Sequence, residues 1–317
     1  MEPVPPAAIL ICPHPTGSRL PSATAQRISN LAPGSLSKRL EEWSTRLVRA
    51  RSPLPVEAAG SGDAWNQLGT GFHSMQGLKD WWVASPAAGL LHHKENCPHA
   101  LASFDPDHAE APARTSAAVQ AWWEGLGTLR AKSGYPEGVA GLVRRFPEAA
   151  YLIVLGSGAL EALHADLWEA KEAAKDANRF LILTSANSSD PGLGASLLKV
   201  DARFEKMLGG PRPTVTSRMA RHVMCEFSPE EWRADFLQGW MRQMSWRLPR
   251  PEGKPKVAAR RKIGSLELEI FVRRTLEQNP KASPRSIHRQ LLDSGRSCSE
   301  SALAVFYQRF ALPLLPV

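Results

Sequence analysis

The chain has 317 residues, 43% of them hydrophobic, which supplies a real core and excludes global disorder. Its length allows one large domain plus a small one, or two medium ones. The formal net charge of +8 and a pI near 9.5 point to a polyanionic partner, because Lys and Arg that neutralise phosphates release condensed counterions.

The first expected strand is Ala7–Cys12, a continuous apolar run of the kind buried on both faces of a sheet. It ends in the turn-rich loop Pro13–Arg19. A helix is expected near Ser22–Leu31 and another over Ser35–Val48, where Leu36, Leu40, Trp43 and Leu47 recur at helical spacing. Residues 52–64 are rich in Pro, Gly, Ser and Ala and read as a loop. Trp81–Ser85 reads as a second buried strand, broken by Pro86-Ala87-Ala88-Gly89. The stretch His92–Pro112 shows little periodicity. Helices are expected over Ser116–Ala131 and Gly138–Phe146.

The clearest unit follows. Tyr151–Leu155 is a strand, Gly156-Ser157-Gly158 a tight turn, Ala159–Ala177 a long helix and Phe180–Thr184 the next strand. This spacing is that of a right-handed parallel crossover. The fold class expected is therefore α/β, a mostly parallel sheet flanked by helices. Residues 228–246 read as a Trp-rich amphipathic helix. Arg247–Lys262 carries seven basic residues against Glu252 alone, and three short helices, Ser265–Gln278, Ser283–Asp293 and Ser299–Phe310, end the sequence. Each opens at a serine suited to N-capping, with Pro284 at a first helical position and Gly295 as a C-cap. The division expected is an α/β domain over 1–246, a basic linker over 247–263 and a small all-α, helix-turn-helix-like domain over 264–317.

No apolar run approaches the ~20 residues of a membrane helix, and the amino terminus shows no signal-peptide pattern. Cys12, Cys97, Cys225 and Cys298 are scattered, as in a reducing cytoplasm. The expected partner is double-stranded DNA and not a membrane. Arg260, Arg261, Lys262, Arg285, His288, Arg289 and Arg296 are the candidate nucleic-acid contacts. The plain alternative is a small helical subdomain with solvated arginines.

In a parallel sheet the active groups sit at the carboxyl ends of the strands. Thr184–Gly192 concentrates hydroxyls, an amide and a carboxylate there. Asp190 is a candidate general base or cation stabiliser, Asn187 and Ser185 candidate base contacts. An Asx-rich turn would look the same. Ser157 and Gly158 open a helix and offer backbone N–H groups. His14, Ser18 and Arg19 form a loop suited to a phosphate or sugar, and Ser85 ends the second strand. Asp105 is a second candidate carboxylate. Trp82 offers either a stacking face or core packing. No cofactor is expected, since neither a full dinucleotide fingerprint nor a Walker-type Gly-Lys-Ser/Thr occurs. His92, His93, Cys97 and His99 match no standard zinc spacing, so no metal is expected either.

Taken together, Ile9–Arg19, Trp82–Leu91, Ser103-Phe104-Asp105, Tyr151–Leu163 and Leu183–Leu197 resemble, in order, the strand–loop units of the YaaA-type α/β family and its relatives. The sequence departs from that pattern in lacking the Tyr before Gly89 and the Pro-Tyr before Asp105. The resemblance implies a bacterial enzyme acting on a nucleobase: a DNA glycosylase that flips out and removes a modified base, in the company of phage-defence proteins. Two other readings stand beside it. One is a non-enzymatic DNA-binding regulator or stress protein; the other is a base-exchanging transglycosylase acting on RNA.

Overall fold

Six strands form the main sheet of a computed structural model of the protein, which describes residues 7–14, 17–18, 25–77, 79–185, 192–249, 261–279 and 282–311. They are β1 (Ala8–Pro13), β2 (Lys79–Ser85), β3 (Gly89–His92), β4 (Ala150–Val154), β5 (Phe180–Thr184) and β6 (Leu197–Lys199). Their order is β6-β5-β4-β1-β2-β3. Every pairing is parallel except β2 with β3, a hairpin at one edge whose turn needs the left-handed backbone of Gly89, at φ +74°.

Side chains alternate between two dry faces. Leu10, Cys12, Trp81, Val83, Leu152 and Leu181 point to one; Ile9, Ile11, Trp82, Ala84, Tyr151 and Ile153 point to the other. The helices that accompany the sheet are α1 (Leu36–Arg49), α2 (Asp63–Ser74), α3 (Ser116–Ala131), α4 (Gly138–Arg145), α5 (Ser157–Ala162), α6 (His164–Ala173), α7 (Phe204–Leu208), α8 (Val215–Glu226) and α9 (Ala234–Arg247). Helices α2, α8 and α9 cover the first face, and α3 to α6 the second. The mostly parallel α/β architecture is thus as expected. Among the described residues, no helix is long and apolar enough to cross a membrane.

Several local expectations are corrected. The long helix over 159–177 is two helices, interrupted at Leu163 (φ −96°, ψ 3°). Residues 25–31 do not form the expected α-helix. Gln26–Arg27 pairs with Ala100–Leu101, and a 3-10 turn follows over Ile28–Asn30, because Glu110 accepts hydrogen bonds from Arg27 (2.8 Å) and from the N–H of Ser29 (3.2 Å). Within 52–64, a strand (Arg51–Pro55) pairs with Asn96–Pro98, a helical turn follows over Val56–Ala59, and α2 starts at Asp63. The Trp-rich helix starts at Ala234, so that Trp232 precedes it and is buried.

The chain divides into two units, Met1–Arg250 and Pro251–Val317. The second holds α10 (Ser265–Gln278), α11 (Pro284–Asp293) and α12 (Glu300–Ala311) around Leu268, Val272, Leu276, Ile287, Leu291 and Leu303. The Ser283 hydroxyl caps α11 by accepting from the N–H of Ser286 (3.2 Å), and Gly295 follows α11 at φ +75°. At α10 the cap position is Gly264, not Ser265. A two-residue parallel bridge joins Arg261–Lys262 to Arg296–Ser297.

One buried carboxylate ties the second face together. The cap residue of α4, Glu137, makes no capping bond. Asp166 of α6 does so instead, accepting from the N–H groups of Val139 and Ala140 (2.8 Å each) and from the Trp123 indole (2.8 Å). Burial pushes its carboxyl above the ordinary range, while these three donors pull the other way. The fit demands glycine at position 138: its φ is +67°, and a Cβ there would lie 2.4 Å from Asp166 Oδ2. Removing the carboxylate strands three donors, so Asp166→Ala is expected to cost about 2–4 kcal/mol in urea unfolding. Glu169→Ala, which breaks an exposed pair with Arg144, should cost under about 0.5 kcal/mol.

Candidate functional site

The parallel strands run, in chain order, β1, β2, β4, β5, β6, and the order reverses between β1 and β4. The crossover after β1 carries α2 to the first face, and the crossover after β4 carries α5 and α6 to the second. Chains leaving adjacent strands toward opposite faces open a crevice at the carboxyl ends, the usual ligand position in such sheets. This crevice is bordered by His14 after β1 and by Gly156, Ser157 and Gly158 after β4.

The flanking loops bring two candidates together. The backbone of Phe104 and Asp105 packs on Gly158, where an added Cβ would sit 3.4 Å from the Asp105 nitrogen. Asp105 itself is exposed. Its N–H donates to Ser103 Oγ (3.1 Å), and its Oδ1 accepts from the N–H of Asp107 (3.0 Å). Ser157 is exposed at the start of α5. The N–H of His14 donates to the carbonyl of Ala84 (2.9 Å), extending the β1–β2 ladder, and its Nε2 lies 3.9 Å from Cys97 Sγ.

Other candidates are placed differently. Ser85 is buried, and its hydroxyl accepts from the N–H of Ala87 (3.3 Å) in the β2–β3 turn. Ser185 is exposed just past β5. Trp82 is core: it is buried, its indole donates to Asp80 Oδ2 (2.8 Å), and it meets His92 edge-on at 5.0 Å. Arg19, Asn187, Asp190 and Arg260 lie outside the described residues, as do the side chains of Ser18 and Lys262. Burial pushes the Cys97 thiol up to about 11 and that of Cys12 up to about 12, so both stay neutral and neither is an activated nucleophile. A cleft of about 350 Å³ borders the same turn at Ala88. Its charged groups, Glu95 and Arg130, are paired with each other at 2.7 and 2.9 Å, so they are committed.

In the second unit, Arg285 and Arg289 lie exposed on α11, and no acidic partner is found for them among the described residues. His288 is half-buried beside them. Arg261 and Arg296 are less available, because both pair with Glu267 (2.5 and 3.5 Å). Residues 251–317 hold twelve basic residues against six acidic ones; residues 1–250 hold 27 against 25. The charge of the chain therefore resides mainly in the C-terminal unit.

Sequence reasoning overlooked Glu110 and Asp80. Glu110 supports the Asp105 loop: its carbonyl accepts from the N–H of Ser103 (2.9 Å), and its carboxylate holds Arg27 and Ser29. The signal was a lone acid in an aperiodic loop, which has no pattern to read.

Family models, curated proteins and solved structures were compared with the chain, and none matches it.

Burial works against the charge of Glu110, but Arg27 and Ser29 outweigh it and hold the carboxyl below the ordinary range. A depressed carboxyl stabilises the fold above its unfolded pKa of about 4.3 and loses that contribution as pH falls through the folded value. Glu110→Gln is expected to cost about 1–2 kcal/mol at pH 7. In urea unfolding from neutral pH down to pH 3, the gap to the native sequence should close at the acid end.

Proposed function

We propose that this protein binds nucleic acid through its three-helix C-terminal unit and that its α/β unit releases a nucleobase, as a DNA glycosylase does. The observation that carries the reading is the segregation of charge: a nearly balanced α/β unit beside a small helical unit with a twofold excess of basic residues. Arg285 and Arg289 are the first phosphate contacts, since they are exposed and free of acidic partners among the described residues. Three helices of this length, with short connections, have the outline of a helix-turn-helix module.

The chemistry takes place at the carboxyl ends of the sheet. A base must leave the stack before its glycosidic bond can be reached. The C1′–N bond then breaks, and the base departs with the electron pair and takes up a proton. A carboxylate, Asp105 or Asp190, stabilises the oxocarbenium-like sugar and accepts a proton from water as the oxygen adds to C1′. The products are a free base and an abasic site. In this reading Ser157, exposed at the start of α5, and the backbone at Gly158 contact the base or its sugar.

A second reading, a binding protein without catalysis, is favoured by one observation: the carboxylate of Asp105 is exposed and committed to its own turn. One experiment separates the two. The full-length protein is incubated with phage DNA carrying ordinary or modified cytosines; abasic sites are counted and released bases weighed by mass spectrometry. Base release that falls by about 100-fold or more in Asp105→Asn or Asp190→Asn, with DNA binding unchanged, is the expected result. A gel shift without any released base moves the assignment to the binding protein.

The double variant Arg285→Ala/Arg289→Ala tests the interface itself. It should lower the slope of log affinity against log salt by about two. An unchanged slope would remove α11 from the interface.

A further inference from the structure

We propose that Asp80, His92 and His93 form a binding site for a divalent transition metal ion of the zinc class, at the open end of the β2–β3 hairpin. One ligand atom from each residue lies within 4.8 Å of those of the other two. The fold builds this cluster from hairpin register. Trp82 pairs with His92 across the two strands, and Asp80 stands two residues before Trp82 on the same face. The N–H of His93 continues the ladder by donating to the carbonyl of Trp81 (3.0 Å), and the two imidazole rings meet at 4.5 Å.

The donor set is two imidazole nitrogens and one carboxylate oxygen, which suits zinc in sites that keep a position open for water. Each ligand is already oriented. Asp80 accepts from the Trp82 indole (2.8 Å) and from the N–H of Trp81 (3.0 Å). Nδ1 of His93 donates to Glu57 Oε2 (2.6 Å), which fixes the tautomer and leaves the lone pair on Nε2. A carboxylate holding the far nitrogen is the outer contact that orients metal-bound histidine. His92 Nε2 lies 2.6 Å from Asp80 Oδ1, so an ion would take the place of the hydrogen bond between two ligand atoms. The site is reachable, since the side chains of His92, Asp80 and Glu57 are 25, 20 and 33% exposed. Asp80 and Glu57 together supply two negative charges against the ion's two positive ones.

This site is separate from the crevice. Asp80 and Ser85 stand five positions apart along β2, which at about 3.3 Å per residue is roughly 16 Å. An ion here clasps the edge hairpin to the Glu57 turn and takes no part in chemistry at the carboxyl ends.

The test is calorimetric titration of zinc into the metal-free, full-length protein, repeated with cobalt(II) and read by visible absorption. One equivalent of zinc should bind at micromolar or tighter affinity, with cobalt d–d bands and no thiolate charge-transfer band. Asp80→Asn and His92→Ala should each weaken binding about 100-fold, and Glu57→Gln about 10-fold, with circular dichroism confirming that each variant is folded. Cys97→Ser should bind as the native sequence does. Absence of saturable binding by the native protein overturns the proposal whatever the variants do. A thiolate band, or binding that survives both Asp80→Asn and His92→Ala, also overturns it, because the ion would then sit elsewhere.

Discussion

Burial of the sheet on both faces is the constraint from which the rest of the first unit follows. Strand β1 lies between β4 and β2, with Ile9 and Ile11 on one face and Leu10 and Cys12 on the other, all essentially without exposure. Fully burying a side chain of this kind is worth about 1.5–3 kcal/mol. Both faces must therefore be roofed, and the crossovers are the roof. Since a right-handed crossover covers one face according to the direction in which it steps along the sheet, covering both faces requires the strand order to reverse. It reverses between β1 and β4, and the crevice opens there. The place of the candidate site is a consequence of hydrophobic burial.

Buried indoles fix what surrounds that crevice. Trp43 of α1 donates to the carbonyl of Ala87 (2.6 Å), and Trp122 of α3 donates to that of Pro86 (3.0 Å). These two bonds hold the β2–β3 turn at the carboxyl end of β2, where backbone carbonyls would otherwise be buried without partners. Trp65 donates to the carbonyl of Glu57 (3.1 Å), and Trp123 to Asp166. Tryptophan suits these positions because it combines a large apolar surface with a single donor, so it packs as core and satisfies one buried acceptor.

Periodicity was legible in several segments that carried their own signal. The helix over Ser116–Ala131 and the strand over Phe180–Thr184 coincide with their expected bounds, and the three C-terminal helices nearly do. Elements made by distant contacts were not legible. Helix α2 holds Gly69 and Gly71 after a Gly-rich stretch, and its first two residues fall in the span 52–64 that reads as loop. Yet a Cβ on Gly71 would meet Met224 at 2.5 Å, so this glycine permits α2 to pack closely on α8. Here packing overrides propensity. The edge strand β3 and short β6 gave no length to read. Of the candidate site, the strand-end loops could be found from sequence. The approach of Asp105 to Gly158 could not, because nothing local links residues 53 apart.

The β2–β3 hairpin carries different chemistry at its two ends, and burial explains both. At the carboxyl end Ser85 is sealed in its turn, and indole donors supply what the backbone lacks. At the other end the sheet edge runs out, and polar side chains replace apolar ones: Asp80, His92 and His93, with Glu57 behind them. There two imidazoles and a carboxylate bring ligand atoms within 4.8 Å of one another, each group already held by a hydrogen bond. An ion at the proposed site would exchange that hydrogen-bond network for a set of ligands, at the edge hairpin and remote from the crevice.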